Sequence, residues 1–267
     1  MEELRKEYSL FEKFQVWFSS NLIVVYTVGK VGTLTICASL RASGFRHIHP
    51  HSLFFTWPGV YFLDIDLSFF QRAYYSLRTY LKRIKVFIWK LFVPKIKIIS
   101  GIRDPFSRSI SAYFEQIHYN NGIPDTWTYE DIKRDFEKRT YFFAQDDWMK
   151  NEFCKFTNID IFSLSFDQKR GYGIYKKNQI EALVYRIDKL DSLSDVLSDF
   201  CKSDVSLIKT NESSSNDIGT KYLEFKSRYR FPSYLAKEIL ASRVFRHFYN
   251  ESERNELFLK YVESESN

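Results

Sequence analysis

The chain has 267 residues, a formal net charge of +6, and 45% hydrophobic and 18% aromatic residues. This composition excludes a disordered or collagen-like chain and suits one large domain, or two small ones, with a substantial core. The positive balance favours anionic ligands. Three widely spaced cysteines, Cys37, Cys154 and Cys201, with no CxxC pair, indicate neither a disulfide framework nor a zinc site and point to a reducing compartment.

Residues 1–19 predict a short amphipathic helix with Leu10, Phe11, Phe14, Trp17 and Phe18 as its apolar stripe. Their mixed charges do not read as a signal peptide. No apolar run approaches the roughly 18–20 residues that span a bilayer, so a cytoplasmic location is expected.

Residues 22–28 (LIVVYTV) predict a strand buried on both faces, as in a parallel sheet. A short loop with Gly29, Lys30, Gly32 and Thr33 follows, then an apolar helix over 33–40 that Ser43-Gly44 ends. Glycines let the backbone approach an anion, helix-start N–H groups point at it, and Lys30, Thr33 and Thr35 add a charge and hydroxyls. This is not a Walker A loop, because Val31 rather than Ser or Thr follows Lys30. The competing reading is a glycine turn between a core strand and a core helix.

Residues 45–49 predict a second strand running into His47, His49 and His51, and 60–65 another, beside Asp64 and Asp66. A long helix is predicted over 67–93, broken by Pro94. From Leu67 to Arg103 there is no acidic residue, but there are Arg72, Arg78, Lys82, Arg83, Lys85, Lys90, Lys95, Lys97 and Arg103. This stretch reads as a solvated helix face, an acidic-ligand site or a contact to anionic lipid.

Residues 95–102 predict a strand. Asp104 is a good N-cap and Pro105 a good first helical residue. The helix that follows carries Phe106, Ile110, Tyr113, Phe114 and Ile117 on its buried stripe, with Ser107, Arg108 and Ser111 together on another face. Gly122 and Pro124 mark a loop. Helices near 128–139, 143–156 and 189–201 and strands over 159–164 and 180–187 are expected. Residues 202–217 read as a polar loop or lid, and 218–262 as aromatic-bearing helices.

Alternating strands and helices predict an α/β fold with a parallel sheet, whose ligands bind at the carboxyl ends of the strands. Lys30 and Arg103 each lie just past a strand end. Two anion-binding points on one sheet edge suit a ligand with two separated phosphates.

The segment IISGIRDPFSRSISAY (98–113) resembles the 3′-phosphate-binding segment of sulfotransferases that use 3′-phosphoadenosine 5′-phosphosulfate (PAPS), with Arg103, Asp104, Pro105, Arg108 and Ser111 at the pattern's positions. YTVGKVGTLTI (26–36) resembles the same superfamily's 5′-phosphosulfate loop. The resemblance is to the carbohydrate branch, which includes Golgi carbohydrate sulfotransferases and bacterial capsular polysaccharide synthesis proteins. It covers mainly 22–51 and 96–116, with weaker echoes at 166–175, 211–213 and 247–258.

The resemblance implies a P-loop-like three-layer α/β fold with a central parallel sheet flanked by helices. It also implies one domain over 1–267, with 22–116 as nucleotide-binding core and about 202–262 as a C-terminal loop and helical extension. Gly29, Lys30, Val31, Gly32, Thr33, Leu34, Thr35, Arg103, Arg108 and Ser111 would hold PAPS, and a carbohydrate hydroxyl would receive the sulfonate. Lys30 would meet the charge on the leaving phosphate, and no metal is called for. A histidine in a similar place is the base of glycosaminoglycan 2-O-sulfotransferases, which makes His49 and His51 candidates and Asp64 and Asp66 reserves. A metal site and plain structural histidines are the other readings of that cluster. No nucleic-acid partner is expected. The Golgi members' membrane anchor has no counterpart, which fits a cytoplasmic bacterial enzyme with the 67–103 stretch as a contact to the inner membrane surface. The alternatives are a P-loop nucleotide kinase or NTPase, which would want Ser or Thr after Lys30, and a non-catalytic anion- or membrane-binding protein.

Overall fold

The structure is a computed structural model that describes residues 22–53, 68–119, 122–208 and 217–262. The helix expected over 1–19, the strand over 60–65 with Asp64 and Asp66, and the 211–213 echo lie outside the described residues.

In chain order the described elements are β1 (Leu22–Val25), α1 (Thr33–Ala42), β2 (His47–Ile48), α2 (Phe69–Phe92), β3 (Ile96–Ile102), α3 (Pro105–Tyr119), α4 (Tyr129–Arg139), α5 (Ala144–Trp148), a π-helical turn (Met149–Cys154), α6 (Lys155–Thr157), β4 (Tyr172–Lys177), β5 (Ile180–Arg186), α7 (Ser194–Cys201), α8 (Asp217–Arg228), α9 (Ser233–Ala241), α10 (Arg243–Phe248) and α11 (Glu251–Tyr261). The sheet order is β2-β1-β3-β5-β4. Its first four strands pair in parallel, and β4 pairs antiparallel to β5.

β1 and β3 are buried along their whole length, because successive side chains serve opposite faces and both faces are covered. Leu22, Val24, Ile96, Ile98 and Val184 enter one core with Phe106, Ile110, Tyr113, Phe114 and Ile117 of α3. Ile23, Val25, Ile99, Leu183 and Tyr185 enter the other, with Ile36, Cys37 and Leu40 of α1 and Leu197 and Phe200 of α7. The result is a mixed α/β fold whose mostly parallel sheet has helices on both faces. Register locks the two layers together: Val24 stands opposite Ile98 and Val25 opposite Ile99.

Two expectations are corrected. Residues 159–164 are not a strand. Asn158 takes a left-handed φ of 58° and ends α6, and Ile161–Ser163 is a 3-10 turn. Ile159 and Ile161 are buried there by core packing without a sheet partner. Nor is the sheet wholly parallel. β4, over which no strand is expected from the sequence, is an edge strand with Gly173, Lys176 and Lys177 among its six residues that turns back through Asn178, at φ 50°.

The basic stretch is also divided by the fold. Lys97 is buried on β3, and its ammonium donates to the Phe200 carbonyl at 2.5 Å. Lys95 pairs with Glu181 at 3.2 Å. Its cationic surface is therefore that of α2, which a Ser68/Gln71 capping box opens and an extended Val93, ahead of Pro94, closes.

Candidate functional site

The strand order reverses between β1 and β3: from β1 the chain moves outward to β2, then returns to place β3 on the other side. A crevice at such a switch point, outside the carboxyl ends of the strands, is where open α/β sheets bind ligands. The loop after β1 carries Lys30 and the turn after β3 carries Arg103.

The β1–α1 loop holds three left-handed residues, Gly29 (φ 89°), Lys30 (φ 61°) and Gly32 (φ 77°). Lys30 pays a steric cost there that glycine would not. Successive N–H groups in such turns form an anion-binding concavity. Gly32 caps α1 without a side-chain acceptor, and no acid stands in the first turn, so the positive helix end is not neutralised locally. The loop is pinned from below: the Tyr185 hydroxyl donates to the Val31 carbonyl at 2.8 Å, and Thr27 and Thr33 share a hydroxyl contact at 2.9 Å.

Arg103 joins the two loops. Its Nη1 donates to the Lys30 carbonyl at 3.2 Å and its Nε to Ser107 Oγ at 2.9 Å. Asp104 caps α3 through the Ser107 N–H at 2.8 Å. Gln145 clasps the Arg103 backbone, donating to its carbonyl at 2.9 Å and accepting from its N–H at 3.4 Å. On the neighbouring face of α3, Arg108 and Ser111 are buried, so they lie beneath the surface rather than on it. Glu115 continues that face, and its carboxylate meets the Lys30 ammonium at 3.2 Å.

The histidines divide by environment. His47 is buried, and its Nδ1 faces the Phe45 carbonyl at 3.4 Å. Burial, with the neighbouring His51 and His47, lowers the pKa of His49 to about 3, which leaves a neutral ring with little appetite for a proton. His51 is exposed. Its Nδ1 lies 2.9 Å from the Thr27 carbonyl. A carbonyl only accepts, so the neutral ring carries its proton on Nδ1 and keeps its lone pair on Nε2. Trp148 fixes the same residue's backbone, donating to its carbonyl at 2.7 Å. His51 therefore stands at the start of the Lys30 loop in the tautomer a base requires.

A family model, NKWYS, described as "Putative capsular polysaccharide synthesis protein", matches residues 128–250. That is less than half of the chain, and it includes neither the Lys30 loop nor Arg103. No curated protein and no solved structure matches. The match ties the α4–α10 region to polysaccharide-related proteins and names no reaction.

Several side chains of the site went unread in the sequence. Glu115 follows Ser111 by four residues, so helical spacing could have found it. Glu152 had no such signal. It is buried in the π-helical turn and accepts from Ser52 Oγ at 2.9 Å, from the Leu53 N–H at 3.0 Å and from the Tyr26 hydroxyl. It thus ties the histidine loop to the end of β1. Burial, then the Glu152 charge, drives the Tyr26 pKa well up. Arg186, at the end of β5, is spent on Asp188 (2.6 Å) and Glu253 (2.8 Å). The cleft beside it is lined by Asp104, Asp188, Glu253 and Glu256 together with Arg186, Tyr249 and Leu257, so four carboxylates face one guanidinium there.

Proposed function

We propose that the protein is a sulfotransferase that moves a sulfonate group from PAPS to a hydroxyl of a carbohydrate acceptor. The observation that carries this reading is the Arg103–Lys30 contact at the β1/β3 switch point, which joins the two loops that one doubly charged nucleotide would bridge. The residue pattern of both loops and the partial match to a polysaccharide-synthesis family support it.

In this reading the N–H groups of the 29–35 loop and the Lys30 ammonium hold the 5′ end, and Arg103 meets the 3′-phosphate with its planar fork. Arg108 and Ser111 hold the floor beneath. PAPS supplies the sulfonate. His51 Nε2 takes the proton of the acceptor hydroxyl as the new S–O bond forms. Lys30 and the loop N–H groups meet the charge left on the phosphate oxygen as the old S–O bond breaks. Lys30 and His51 thus serve the leaving and the attacking oxygen from two loops that the His51–Thr27 contact holds together.

Calorimetry with the product adenosine 3′,5′-bisphosphate (PAP) tests the donor. Micromolar binding that Arg103→Ala weakens strongly is expected, and equal binding of ATP and PAP would sink the assignment. A labelled-sulfate transfer screen against the host's own surface glycans then tests the acceptor class.

A further inference from the structure

α2 has 24 residues, of which only Val86 and Trp89 are buried. At 1.5 Å per residue it is about 36 Å long. Eleven large apolar side chains of this helix are exposed, with Phe69 and Phe70 near 80%, and Leu77, Phe87, Leu91 and Phe92 between 58% and 68%. At about 100° per residue all eleven fall within one arc of about 140°, on the side away from Val86 and Trp89. Scattered exposed apolar residues mean little, but one continuous stripe marks a contact surface.

The charges flank that stripe. Arg78 and Lys85 border one edge, on a helix without a single Asp or Glu. No described helix is long and apolar enough to cross a membrane. A second copy of α2 laid on the first would set cation against cation, with no acid on either helix to relieve them. A surface that is apolar inside and anionic at its rim complements both features at once.

We propose that α2 lies in the plane of an anionic phospholipid bilayer, with its aromatic and aliphatic stripe among the acyl chains and Arg78 and Lys85 on the headgroup phosphates. The Lys82 ammonium, on the body-facing side of α2, donates to Ser52 Oγ at 3.1 Å. The docked helix therefore holds the loop that carries His51 close to the bilayer.

Vesicle co-sedimentation of the full chain tests this, with phosphatidylcholine vesicles lacking or containing phosphatidylglycerol. Binding to the anionic vesicles alone, released by salt, is expected. Arg78→Glu with Lys85→Glu should weaken it on the order of tenfold or more. The triple change Leu77→Ser, Phe87→Ser and Leu91→Ser should abolish it while circular dichroism and the melting curve stay those of the parent. Equal binding to neutral vesicles, or none to either, overturns the proposal. So does a concentration-dependent dimer without vesicle binding that the triple variant disperses, which would assign the stripe to a second copy.

Discussion

The guanidinium of Arg103 donates to the backbone carbonyl of Lys30 at 3.2 Å, so the turn after β3 braces the loop after β1. The same side chain reaches Ser107 through Nε. Both bonds use the geometry of a fork, which one ammonium does not reproduce. Arg103→Lys keeps the charge and loses the brace. PAP binding should weaken about tenfold, while folding stability changes by under about 1 kcal/mol, because the two lost bonds are partly exposed. Calorimetry and urea titration of the same preparation separate the two effects. Unchanged affinity in Arg103→Lys would reduce Arg103 to a point charge.

Gly101 shows how tightly the loop rests on β3. A Cβ there would stand 2.7 Å from the Val31 carbonyl oxygen and 2.8 Å from the Tyr185 hydroxyl. Gly44 is the contrast, with φ +79° and open space where its Cβ would go. Gly44→Ala should cost about 1 kcal/mol, from backbone strain alone. Gly101→Ala should cost about 2 kcal/mol or more, since the backbone it meets cannot swing aside, and it should displace the Lys30 loop as well. Thermal melts rank the two, and PAP titration of Gly101→Ala reads the displacement. A Gly101→Ala protein as stable as Gly44→Ala would mean that the loop is free to lift.

These contacts mark the limit of what could be read from the residues alone. Apolar runs at 22–25 and 96–102 fixed two parallel strands, because a strand covered on both faces has no polar alternation to obscure it. Asp104-Pro105 announced α3 through local capping chemistry. β4 escaped notice because this edge strand carries Gly173, Lys176 and Lys177, residues that also suit a loop. Residues 159–164 misled because a short apolar run is buried equally well without a sheet. Glu152 and Gln145 were invisible for a different reason: each is defined by partners about 40 to 130 positions away, and no local pattern encodes them.

The two candidate bases should separate by experiment. His49 titrates near 3 in the folded chain against an ordinary 6.5, chiefly because of burial. The unfolded chain therefore takes up a proton below about pH 6.5 that the folded chain refuses until about pH 3. The corresponding stability is complete above pH 6.5 and is lost as pH falls through that window. His49→Leu should shrink the loss seen between urea titrations at pH 7 and pH 5. His51→Asn should instead slow sulfate transfer by about a hundredfold or more, with PAP affinity little changed. A His49→Leu protein as acid-sensitive as the parent would show that His49 is not the group responsible.

Glu115 already pairs with the Lys30 ammonium, so on the proposed reading it competes with the nucleotide for that charge. Its carboxylate lies 3.2 Å from the Lys30 ammonium, with the two side chains 37% and 27% exposed. A pair this open to water is worth at most about 1 kcal/mol, so it adds little to folding. It does cost an anionic ligand, which must draw Lys30 away from Glu115 and then bind beside the carboxylate. Glu115→Gln removes that competitor and should tighten PAP binding by up to about fivefold at low salt. The gain should fade as salt screens the carboxylate in the parent, and thermal stability should barely move. Titrations of parent and variant at low and high salt read all three effects. Weaker PAP binding in Glu115→Gln would reverse the argument, since it would mean that Glu115 aims the Lys30 ammonium at the ligand rather than holding it back.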